Sequence, residues 1–174
     1  MQKVKIPVTL DPVRAAQKRS SYDGVVPLAD LSRLSEHLLG TAGDVTVRID
    51  CDIDEQKLVV LKGEASCTVQ VACERCQQAL KLELACQFAF TPVRSDNTAL
   101  EHIPECYDVI VKDEHGEINL RQMVEDELIL TLPMYPVHDE RFCSASEKPV
   151  SFGVVDEEEE KPNPFAILQE LKKK

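Results

Sequence analysis

The chain of 174 residues has no Trp, 5% aromatic residues and only six Gly. Few rings make the core mainly aliphatic, and scarce Gly leaves little material for a phosphate-cradling loop. A GxSxG elbow and an HExxH helix are also missing, so the expectation is a protein that is not an enzyme and has no small-molecule substrate. No apolar run approaches the length of a membrane span, and residues 1–10 are too short and mixed for a signal peptide. The expected compartment is therefore the cytoplasm, without membrane contact and with its thiols kept reduced. Positive charge is scarce too: 20 Lys+Arg face 31 Asp+Glu, for a net charge of -11. Such a chain is repelled overall by phosphate backbones, which disfavours tight, unaided nucleic-acid binding and favours a protein partner with a basic surface.

What the chain does have is alternation. Val59, Leu61, Ala65, Cys67, Val69 and Val71 fall on one face of an extended run, opposite Lys62, Glu64, Ser66, Thr68 and Gln70. Leu80, Leu82, Leu84, Cys86, Phe88 and Phe90 repeat the pattern after a break at Cys73-Glu74-Arg75-Cys76. Side chains of a strand alternate between faces, so the two runs predict a long antiparallel hairpin with CxxC at its tip. Residues 45–53 alternate just as cleanly, and three strands with no room for helices between them imply an antiparallel meander. Phe90-Thr91-Pro92 should end the sheet run, because Pro cannot donate to a ladder.

Helices are expected on either side of the meander. Asp11-Pro12 resembles a helix start, and Ser20-Ser21-Tyr22-Asp23-Gly24 should break that helix. A second helix is predicted from Pro27 or Leu28 to Leu39, with Leu28, Leu31, Leu34 and Leu38 as its stripe and Gly40 as its stop. After a short strand at 107–112, Asn119 caps a central helix whose Leu120, Met123, Val124, Leu128 and Leu130 should pack inward. Glu125, Asp126 and Glu127 point about 100° apart on that helix, so they read as solvated carboxylates and not as one converging set. The fold class expected is α+β: an antiparallel β meander, or a partly open barrel, with two N-terminal helices, one central helix and a flexible acidic C-terminal tail. Residues 1–152 form the domain and 153–174 the appendage. Asp156-Glu157-Glu158-Glu159-Glu160 is a like-charge block expected to stay disordered. Beyond it, Pro162, Asn163, Pro164, Phe165 and Leu168 begin a short amphipathic segment suited to docking, on its own sheet or on a protein partner.

Seven Cys is an odd number and a poor disulfide framework. Cys51, Cys67 and Cys86 lie on apolar strand faces as small hydrophobes. Cys106, in a loop beside Pro104 and Tyr107, has no assigned role; Cys73 and Cys76 offer two ligands, and His138 with Cys143 would supply the other two of a four-ligand zinc site. Two other readings stay open: a redox dithiol, which usually sits at a helix N-terminus and not between strands, or a plain turn.

Several separated blocks carry a family resemblance. They are Leu10-Asp11-Pro12-Val13-Arg14, Val60-Leu61-Lys62-Gly63 leading to the CxxC, and Phe90-Thr91-Pro92-Val93-Arg94. Further on come Leu132-Pro133-Met134-Tyr135-Pro136-Val137-His138 and Lys161-Pro162-Asn163-Pro164-Phe165. Together they closely resemble the bacterial large ribosomal RNA subunit accumulation family, YceD. The resemblance implies a ribosome biogenesis factor that supports synthesis, processing or accumulation of 23S rRNA by binding a protein partner or a pre-ribosomal particle, and it supplies no catalytic residues. The alternative is a direct RNA-binding module with a zinc-stabilised CxxC turn. Many members pair the CxxC with a cysteine-rich stretch after the Leu-Pro block, where this sequence has His138 and Cys143.

Overall fold

A computed structural model describes residues 5–94 and 103–145. Its centre is a five-stranded sheet in the order β2-β3-β4-β5-β6. These strands are Ser21–Pro27 (β2), Asp44–Ile53 (β3), Val59–Ala72 (β4), Ala79–Val93 (β5) and Asp108–Val111 (β6). Thr9–Leu10 (β1) and Ile118–Asn119 (β7) pair separately as a two-stranded antiparallel ribbon. Helices Pro12–Gln17 (α1) and Leu120–Thr131 (α3) pack on the sheet, and a 3-10 turn at Leu28–Asp30 leads into the short helix Ser32–Ser35 (α2). Both edge strands are separate in the pairing order, so the sheet is open and not a closed barrel.

The period-two reading of β3, β4 and β5 holds. Val45, Val47, Ile49 and Cys51 are buried on the helix-covered face, as are Leu61, Ala65, Cys67, Val69 and Val71 of β4. The opposite face carries Thr46, Arg48, Lys62, Glu64 and Gln87, all exposed. The residue missing from the apolar alternation is Gly63, and the reason is steric. A Cβ there would lie 2.4 Å from the Arg48 carbonyl oxygen and 2.7 Å from the Phe88 ring, which occupies the space a side chain would need.

The structure corrects several expectations. The first helix does end before Ser20–Gly24, but Ser21–Gly24 is no mere break: it belongs to a full edge strand, Ser21–Pro27, paired antiparallel to β3. The single helix expected to Leu39 is instead a 3-10 turn and a four-residue helix. β5 runs past Pro92 to Val93, where β6 joins it in parallel. Pro92 is tolerated because the ladder with β4 has already ended at Leu61↔Phe90. The Thr91 hydroxyl then donates to the Val59 carbonyl at 2.7 Å. Leu130 is 78% exposed, since two residues on from buried Leu128 turn it about 200° around the helix.

Glu125 departs furthest from the expectation of a solvated carboxylate: it is 6% exposed. Its Oε1 accepts from the backbone N–H of Arg33 at 2.7 Å and of Leu34 at 3.1 Å. Its Oε2 accepts from the Arg33 guanidinium at 3.3 Å. Leu31, which precedes α2, offers no side-chain cap, so a carboxylate from α3 satisfies the orphan N–H groups of α2 across the fold. Asp126 also binds the Arg33 guanidinium. The other caps follow the sequence reading: Asp11 accepts from Val13 and Arg14, and Asn119 from Gln122. Among the described residues no helix is long and apolar enough to cross a membrane.

Candidate metal centre

β3 pairs with β4 only up to Ser66, and β6 reaches β5 only at Phe90–Val93. The far half of the β4–β5 hairpin therefore extends beyond its neighbours, and its closing turn carries the CxxC. Gln77 takes a left-handed φ of 59° there. The turn is closed by the Gln77 N–H donating to the Cys73 carbonyl at 2.8 Å, and by the Cys73 N–H donating to the Gln78 carbonyl at 2.9 Å.

The chain that follows α3 folds back onto this turn. Glu74 N–H donates to the Pro136 carbonyl at 2.8 Å, which aligns 136–138 beside the CxxC. Asp139 then starts a one-turn loop in which its carbonyl accepts from Phe142 at 2.9 Å and from Cys143 at 3.1 Å, presenting the Cys143 thiol. The four residues singled out in the sequence thus converge: the Sγ atoms of Cys73, Cys76 and Cys143 and a ring nitrogen of His138 all lie within 4.8 Å of one another. Cys73 and Cys143 are buried, while Cys76 and His138 are half-buried.

The donor set fits a tetrahedral soft cation. Ideal zinc bond lengths separate neighbouring ligand atoms by roughly 3.5–3.8 Å, and Cys76 Sγ lies 3.4 Å from His138 Nδ1. The loosest pair would close by no more than about 1 Å. His138 Nε2 is 3.1 Å from the Ala79 carbonyl. A carbonyl can only accept, so Nε2 carries the proton and the Nδ1 lone pair is left facing the thiols. A carbonyl that accepts from the far ring nitrogen in this way fixes the tautomer of a ligating imidazole. Residue spacing holds no sign of Ala79, because a backbone carbonyl leaves no trace in side-chain identity.

The electrostatics point the same way. Burial raises the Cys73 thiol, but N–H groups of His138, Cys76 and Arg75 aimed at its sulfur outweigh that and bring it down to about 6; the His138 N–H lies 3.5 Å away. The N–H of Gln78 lowers Cys76. With no cation between them, the sulfurs of Cys73 and then Cys76 favour a proton on His138, in the place that a cation would take. For Cys143 an N–H from Ala145 works downward, yet burial and the other two sulfurs keep it raised. Three thiols so close cannot all ionise unless a cation offsets their charge. Cys51 and Cys67 behave oppositely: burial pushes both up to about 11, as expected of inert core thiols. The thiol pair joins two strands, and no helix begins at it, which removes the usual setting of a redox dithiol. The proposed docking residues Pro162, Asn163, Pro164, Phe165 and Leu168 lie outside the described residues.

Fold and site define an open-sheet α+β protein whose longest β-ribbon is clasped at its tip by a Cys3His donor set. The family model for the large ribosomal RNA subunit accumulation protein YceD matches residues 61–172, and the chain belongs to that family. A Haemophilus influenzae protein of the same name is 43% identical over 175 residues, covering all of both chains. No solved structure matches the chain.

Proposed function

We propose that this protein supports the accumulation of large-subunit ribosomal RNA without catalysing a reaction, by binding a protein of the assembly or processing machinery. The observation that carries the reading is full-length similarity, at 43% identity, to a relative bearing that name. In this reading Cys73, Cys76, His138 and Cys143 hold one structural zinc ion. When bound, the ion locks the hairpin tip to the 136–143 loop and offsets the charge of the thiolates. Residues 162–168 serve as a docking arm toward the partner.

The surroundings of the tip favour protein over RNA. Arg75 lies 3.9 Å from Glu140, so its charge is already partly countered, and Glu74, Glu83 and Asp139 are also exposed nearby in sequence. A net charge of -11 adds general repulsion of phosphate.

Affinity capture at native expression tests the role. The full chain should enrich large-subunit assembly or processing proteins, and a Phe165→Ala/Leu168→Ala double variant should lose them while keeping its circular dichroism. Equal capture by both would remove the arm from the reading. Titration with large-subunit RNA fragments should give no measurable affinity at physiological salt. Salt-sensitive binding there would instead establish the RNA-binding alternative. Elemental analysis should find one zinc per chain in the wild type and none in Cys73→Ser.

A further inference from the structure

Beside the metal centre is an apolar groove of about 330 Å³, lined by Val71, Leu82, Ile129, Leu132 and Met134 together with Glu74 and His37. That volume is at the lower end of the roughly 300–1,000 Å³ typical of binding pockets. On its wall Met134 is 101% exposed, and the next residue, Tyr135, is 66% exposed. Apolar side chains gathered in this way mark a surface that takes a partner.

We propose that the occupant is this chain's own C-terminal segment, residues 164–174, docked in cis. Three observations select it. The first is the tether. The described chain ends at Ala145, two residues past Cys143, and the Glu74–Pro136 hydrogen bond joins the metal centre directly to the groove wall. A stretch as long as 146–163 can span up to about 60 Å, so residues 164–174 are within reach of the groove. Tethering over such a span gives an effective concentration of about a millimolar, and weak intrinsic affinity suffices.

The second is shape. Phe165, Leu168 and Leu171 recur every three residues after Pro164, the pattern of a helix that lays one apolar stripe into a groove. The third is charge. α3 ends at Thr131, beside the groove residues Ile129 and Leu132, and its carbonyl end carries partial negative charge. Glu74 adds a full one. Lys172, Lys173 and Lys174 give the segment a basic end in a chain of net charge -11. The proposal does not depend on a ribosomal role. If the arm also captures a partner, then that partner competes with the groove for Phe165 and Leu168.

The test uses the purified full chain alone, with Phe165 replaced by the photoreactive p-benzoyl-phenylalanine. Illumination should crosslink the monomer internally, to peptides spanning 129–136 or 71–82. Amides of 165–171 should exchange about tenfold more slowly than in a full-chain Leu168→Asp variant. Met134 is fully exposed, so Met134→Asp leaves the fold intact and should reduce the crosslink severalfold. The proposal is overturned by any of four results: no crosslink, links only between chains, links to the open sheet face, or a yield unchanged by Met134→Asp.

Discussion

At its base the β4–β5 ribbon lies between β3 and β6 and under α3, with Leu61, Phe88 and Phe90 buried beneath the helices. Toward its tip the same two strands have, among the described residues, no third strand beside them, and beyond Val69, Val71 and Leu84 buried thiols take over from aliphatic side chains. The base is held by apolar area removed from water, which is non-directional and tolerates some repacking. The tip is held by aimed donors: backbone N–H groups on sulfur, one imidazole fixed by a carbonyl, and a clasp from 136–143. Damage should therefore spread differently from the two ends. Loss of volume at the base should weaken the whole domain, whereas loss of a ligand at the tip should free the clasp and little else.

Leu61→Ala is the strongest challenge to that division. Leu61 is 0% exposed near the start of β4, the central strand of the sheet, and truncation should cost about 3 kcal/mol, read as a lower urea midpoint with an unchanged slope. If only the tip lost protection from hydrogen exchange, base and tip would not differ in the way described.

Glu125→Ala should come next, at about 2 kcal/mol. It strands the N–H groups of Arg33 and Leu34 and leaves the Arg33 guanidinium with Asp126 alone. Glu125→Gln keeps one acceptor and should lose about half as much. A cost near zero in urea denaturation would return Glu125 to the surface role its neighbours in sequence suggested.

Sequence pattern revealed the three long strands because each alternates over nine or more residues with one buried face, so that a register slip would expose all of it. It also found the four candidate ligands, since His138 and Cys143 stand together after the central helix ends. Other features were hidden because partners remote in sequence decide them. Ser21-Tyr22-Asp23-Gly24 has turn chemistry, yet β3 supplies a ladder that overrides it. Glu125 looks like its acidic neighbours until α2 arrives with uncapped N–H groups. The parallel pairing of β6 with β5 joins segments whose relative direction local periodicity does not encode.

Cys73→Ser sharpens the other side of the comparison. It removes one of the four donors at the centre, so the zinc content should fall to zero. Amides at 73–78 and 137–143 should then exchange freely, while those of β3 keep the protection set by global stability. Unfolding of the whole domain in this variant would show that the metal centre supports the base as well, and that the division drawn here is false.

The smallest effect separates burial from charge on α3. Burial raises the Glu127 carboxyl, and Asp108 and Asp126 push it further in the same direction. A raised acid binds its proton more tightly folded than unfolded, so stability declines as pH climbs from the ordinary carboxyl range through the raised value. Above that window the full penalty for holding the carboxylate remains, and below it the penalty vanishes. Glu127→Gln should therefore raise the melting temperature slightly at pH 7 and make no difference at pH 3. The Thr131 hydroxyl donates to the Leu128 carbonyl at 2.7 Å, so α3's last turn does not rely on the Glu127 side chain. A variant less stable than wild type at pH 7 would mean that Glu127 contributes a favourable contact which its raised pKa conceals.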